Sequence, residues 1–213
     1  MKKLIDRFLG GSPASAPGTT PDDSGYFATM FMERPEPSSP IAASAARSRL
    51  VSAEAVDHEL ALNLLLRAWG HDRYMARLDE RERARLAEYL EFVVVPTGRE
   101  VIAQDEPGDF AVIVLDGLLA VDRIHPWGGR ARLSEAREGD VLGELSLLDA
   151  GARFSACTTL SRSTLAIVGM QQLDAMMRND PRLGMALMAS MARRLSLRMR
   201  QVSARLSALL SAT

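Results

Sequence analysis

The chain has one cysteine, Cys157, in 213 residues. That excludes an internal disulfide framework and fits a reducing compartment. Cys157 lies in a strand-like run and reads as a buried structural thiol rather than a nucleophile. No charge of one sign dominates, since 26 basic and 27 acidic side chains leave a net charge of −1. General nucleic-acid binders carry a basic surplus, so that class is set aside. No apolar run approaches the length of a membrane span. The opening residues, Met1 to Gly10, lack the long apolar stretch of a secretory signal. Zinc-ligand spacing, a glycine-rich mononucleotide loop and a nucleophile elbow are also missing. The three histidines, His58, His71 and His125, scatter over helix and turn regions. A chain with these absences is expected not to be an enzyme and to work in the cytoplasm.

What is present is a composition that is 47% hydrophobic, enough for one compact domain with appendages or for two small ones. In residues 1–10, Leu4, Ile5, Phe8 and Leu9 fall on one face of a short amphipathic segment. It is too short to be stable alone. It is expected either to fray or to order on a partner or a membrane surface, which would make the protein peripheral at the inner membrane. Residues 11–50 are rich in Gly, Ser, Pro and Ala and read as a disordered linker. One island, Tyr26-Phe27-Ala28-Thr29-Met30-Phe31-Met32, interrupts it. Residues 1–46 are thus expected to capture an unknown protein partner, or the island packs back on the domain.

Residues 51–92 read as N-terminal helices. Ser52 is the expected cap of the first, with Val56, Leu60, Leu64 and Leu65 at helical spacing. The second is expected over residues 79–92, with Leu86, Leu90 and Phe92 near its end and Pro96-Thr97-Gly98 as its stop. Residues 93–180 hold short strands, near 110–115, 118–124, 130–136 and 164–168, cut by turns such as Asp116-Gly117 and Glu138-Gly139-Asp140. Turn signals this frequent predict a mainly β fold with flanking α, a jelly-roll barrel. A short helix is expected over 171–178. Residues 181–213 hold a long helix whose seam runs Met188, Met191, Leu195, Met199, Val202, Leu206 and Leu209 in steps of three and four. The seam predicts a homodimer through this helix; packing on its own domain is the alternative.

Within the barrel one segment stands out: Gly143-Glu144-Leu145-Ser146-Leu147-Leu148-Asp149-Ala150-Gly151-Ala152-Arg153. A carboxylate that accepts from hydroxyls and a guanidinium that pairs with phosphate suit a sugar phosphate. Together with Pro96-Thr97-Gly98-Arg99-Glu100-Val101-Ile102, Pro107-Gly108-Asp109, Leu115-Asp116-Gly117, Gly139-Asp140-Val141-Leu142 and Met191-Ala192-Arg193-Arg194-Leu195, it resembles the cyclic nucleotide-binding domain. More narrowly, residues 72–209 resemble the sensor half of the bacterial cAMP receptor protein family. The resemblance implies that Glu144 holds the ribose 2′-hydroxyl and Arg153 the phosphate. Gly143 and Leu145 would offer backbone groups, and Ser146 and Ser155 complete the barrel's candidate contacts. The alternative is an internal Glu144–Arg153 salt bridge in a degenerate pocket.

Three positions depart from the family pattern. Phe154 stands where a small residue usually follows the arginine; it crowds the phosphate, stacks on a base, or points into the barrel. Arg198 and Met199 stand where hydroxyls touch adenine. An arginine suits guanine O6 and N7, so Arg198 points to cyclic GMP or cyclic di-GMP over cyclic AMP, or else it faces solvent or an acidic partner. The family's DNA-binding domain needs roughly 60 residues, and only three follow Leu210. The chain is therefore expected not to bind DNA sequence-specifically. Two functions remain: a cyclic nucleotide-sensing regulatory module acting through protein partners, or a structural adaptor or assembly subunit with a degenerate pocket.

Overall fold

A computed structural model describes residues 54–211. The chain enters as a two-residue strand, β1 (Glu54–Ala55), paired with β2 (Glu91–Val95). Helix α1 (His58–Trp69) follows. The cap expected at Ser52 lies outside the described residues; the helix starts later, where the Asp57 carboxylate accepts from Leu60 N at 2.9 Å. The buried stripe is Ala61, Leu65 and Trp69, and Leu60 points outward. Helix α2 (Glu80–Glu88) opens on a capping box between Asp79 and Glu82. It ends before the expected limit at residue 92. Phe92 belongs to β2, because the run of three valines after it forms a pleated surface buried on both sides. Pro96-Thr97-Gly98 consequently turns β2 into β3 (Glu100–Ile102) rather than stopping a helix.

The barrel continues with β4 (Phe110–Asp116), β5 (Leu119–Ile124), β6 (Arg130–Ala136) and β7 (Val141–Leu142). Helix α3 (Glu144–Asp149) interrupts before β8 (Ala156–Thr159) and β9 (Ser163–Gly169). All pairings are antiparallel, in two sheets ordered β1-β2-β9-β4-β7 and β3-β8-β5-β6. The fold is the expected jelly roll with flanking helices. Strand β4 shows why both cores exist. Phe110, Val112 and Val114 enter the core between the sheets. Ala111, Ile113 and Leu115 enter a second core under the helices.

Helix α4 (Met170–Asn179) and the 31-residue α5 (Pro181–Ser211) close the second core. The buried residues of α5 end at Met191. The seam expected along its whole length is therefore divided. Met191 is in this domain's own core, whereas Met199, Val202, Leu206 and Leu209 are 55–69% exposed. Among the described residues no helix is long and apolar enough to cross a membrane.

Candidate functional site

The turn between β7 and α3 is built on Gly143, whose φ of 72° lies in the left-handed region. An L side chain there is strained, and its Cβ would meet Arg153 Nη1 at 2.5 Å. The glycine lets the backbone turn sharply and lets Arg153 lie against it. Arg153 Nη1 donates to Gly143 O at 2.7 Å, and the guanidinium carbon sits 4.4 Å from the Phe110 ring centroid. The loop before β4 completes the cradle. Arg153 N donates to Glu106 O, Asp105 N donates to Arg153 O, and a Cβ on Gly108 would come within 2.2 Å of Arg153 Nε.

Arg153 is thus 2% exposed and held from three sides, yet its Nη2 has no acceptor. Burial pulls its pKa below the ordinary arginine value, opposed by Asp109, Cys157, Glu106 and Glu144. A buried donor without an acceptor costs about 1–3 kcal/mol. An anion arriving at Nη2 would recover that cost, so the residues present fit a phosphate.

Glu144, the first residue of α3, is 3% exposed. Its partner is not Arg153, as the internal salt bridge required, but Arg198 of α5. Arg198 Nη1 donates to Glu144 Oε1 at 2.6 Å and Nη2 donates to Val141 O at 2.7 Å. Burial raises the Glu144 pKa, and the Arg198 charge, its own backbone N–H and Arg153 oppose the rise. Arg198 therefore reaches the site and does not face solvent alone.

The other expected contacts are placed variously. Leu145 directs its side chain outward, at 47% exposed, whereas Ser146 is buried. Ser155 is half-buried and hydrogen-bonds the Cys157 thiol, whose pKa burial pushes up to about 12. Phe154 is half-buried under the Arg123 guanidinium, 4.2 Å from ring centroid to carbon, and Arg123 Nη1 donates to Phe154 O. Sequence reasoning missed Arg123 and the packing role of Gly108. Alternation along β5 carried the signal for Arg123, since it continues the row of Leu119 and Val121. The signal for Gly108 was its turn motif, which hid a steric role.

The model of the cyclic nucleotide-binding domain family matches residues 92–180. This part of the chain is a cyclic nucleotide-binding domain. The CRP-like cAMP-activated global transcriptional regulator of Mycobacterium tuberculosis is 32% identical over 112 residues, covering 53% of this chain and 50% of that protein. A cyclic nucleotide-binding domain from Methylobacillus flagellatus superposes with a TM-score of 0.67 at 20% identity, over 76% of this chain and 88% of that one. The N-terminal domain of a transcriptional regulator from Streptomyces coelicolor gives 0.53 at 27% identity, over 63% and 94%. The chain spans about half the length of the curated relatives it matches. Arg153, the Gly143 turn and Glu144 all lie within the matched residues, and Arg198 lies beyond them on α5.

Proposed function

We propose that this protein senses a cyclic nucleotide and passes the signal through α5 to a protein partner rather than to DNA. One observation carries the reading: the unsatisfied Nη2 of a fully buried Arg153, beside a buried carboxylate on a glycine-built turn. The phosphate would take that donor and the ribose hydroxyl would reach Glu144. Arg198 joins Glu144 to α5, so occupancy of the pocket bears on the helix. The exposed half of α5 supports a homodimer as the receiving surface. Residues 1–46 supply a second docking segment for a protein, or for a membrane in the case of residues 1–10. The setting proposed is the cytoplasm.

Calorimetry on the intact protein with cyclic AMP, cyclic GMP and cyclic di-GMP tests this. At least one should bind, and Arg153→Ala and Glu144→Ala should each lose that binding while staying folded. A second reading, the adaptor with a degenerate pocket, is favoured by the Arg198–Glu144 pair itself, because the carboxylate already has a cationic partner. Binding of none of the three nucleotides would select it.

A further inference from the structure

The helix side of the pocket has little left with which to read a base. Reading guanine O6 and N7 takes two parallel donors from one guanidinium. Both Nη atoms of Arg198 are engaged, one by Glu144 and one by the Val141 carbonyl. Met199 follows at 69% exposed and has no hydrogen-bond donor in its side chain. Two of the five N–H donors of Arg198 are thus committed inside the protein, and reading guanine with its Nη pair would compete with Glu144 and the Val141 carbonyl.

The barrel wall offers a different surface. Leu119 and Val121 point into the core between the sheets, and Arg123 continues their row. Asp122 between them faces the other way and pairs with Arg132 at 2.5 Å. In β8, Cys157 lies opposite Val121 and Ala156 opposite Asp122, so Arg123 sits where residues 153–155 lead into that strand. There its guanidinium covers one face of the Phe154 ring and holds the Phe154 carbonyl, fixing ring and backbone together. Phe154 directly follows Arg153, which puts its half-buried ring one residue from the guanidinium proposed to hold the phosphate.

We propose that the base is gripped by stacking on Phe154, backed by Arg123, and is not read by the long helix. The site then takes purine cyclic nucleotides as a class, with little preference between adenine and guanine. Aromatic stacking supports this selectivity, because every base has a π-face and a purine covers more of the ring than a pyrimidine does. The proposal rests on the nucleotide reading above.

Titration of the intact protein with cyclic AMP, cyclic GMP and cyclic CMP tests it. The two purines should bind within a few-fold of each other and more tightly than cyclic CMP. Phe154→Ala should weaken purine binding by about 5- to 150-fold and narrow the gap to cyclic CMP. Phe154→Leu, which keeps bulk without the aromatic face, should behave like the alanine variant, with thermal melting confirming the fold of both. Unchanged or tighter purine binding by Phe154→Ala would make the phenyl group an obstacle and overturn the proposal. A preference of about tenfold or more for one purine, erased by Arg198→Gln, would return base reading to the helix and overturn it as well. If Arg153→Ala abolishes binding of all three, the nucleotide reading stands whatever the base ratios show. If the wild type binds none of them, that reading fails and this proposal falls with it.

Discussion

Glu144 and Gly108 show how single residues shape the proposed site. Burial raises the Glu144 pKa, so its ionised form is a cost in the folded state. The stability linked to this group is fully present below its unfolded pKa, near 4.3, and is lost as pH rises through the higher folded value. Glu144→Gln should therefore melt no lower, and we expect higher, than wild type at pH 7. The difference should vanish toward pH 4 in a melting series, while nucleotide affinity falls. Gly108→Ala tests the cradle without touching ligand. Its Cβ would sit 2.2 Å from Arg153 Nε, so the guanidinium must move. Loss of a charged hydrogen bond of about 1.5–3 kcal/mol corresponds to about a tenfold or greater loss of affinity in calorimetry. The Glu-Arg box and the Gly143 turn were legible in the sequence, because residue types that suit a phosphate stand out by themselves. The pairing of Glu144 with Arg198 was not legible, because 54 residues separate them and only the docking of α5 brings them together.

At the scale of elements, a second buried carboxylate acts in the opposite sense. Asp72, in the loop after α1, accepts from the Ser190 hydroxyl at 2.6 Å and from Tyr74 N at 3.0 Å, with Arg193 at 3.5 Å. Burial pushes its pKa up, but the Ser190 hydroxyl, the Tyr74 and Met75 amides and the Arg194 charge more than offset this, leaving it below the ordinary value. Beside it, Arg194 covers the Trp69 ring, and Trp69 Nε1 donates to Gly139 O in the turn that leads to β7 and the Gly143 turn. Asp72 thus fixes the level at which α5 leaves the domain. Asp72→Asn should cost about 1–3 kcal/mol at pH 7, read from denaturant melts. The stabilisation is present above the unfolded pKa and is lost as pH falls through the folded one, so the deficit should shrink in acid. The α5 helix itself was legible from its period, and so were the central strands. The boundary at residues 89–91 was not, since Leu86 and Leu90 keep helical spacing up to it and only the pairing of Phe92 with Ala166 of β9 marks the strand. Tertiary pairing outweighed local periodicity there.

The whole molecule is asymmetric along α5: it is anchored through Met191 and exposed beyond it, apart from the partly buried Arg194, Leu195 and Arg198. Arg198 lies one turn from Leu195 and from Val202, so the contact with Glu144 and the exposed seam share one stretch of helix. If the seam pairs two copies, dimerisation and nucleotide binding act on the same element, and their coupling must be reciprocal. Val202→Glu with Leu206→Glu should convert the protein from twice the chain mass to the chain mass in light scattering. Because both side chains are more than half exposed, the domain itself should keep its melting temperature. The monomeric variant should then bind nucleotide with an altered affinity, and nucleotide should shift the wild-type dimer constant by the same factor. A wild type that is monomeric at all concentrations would leave the seam to a different partner. A dimer whose constant ignores nucleotide would place the output elsewhere than α5.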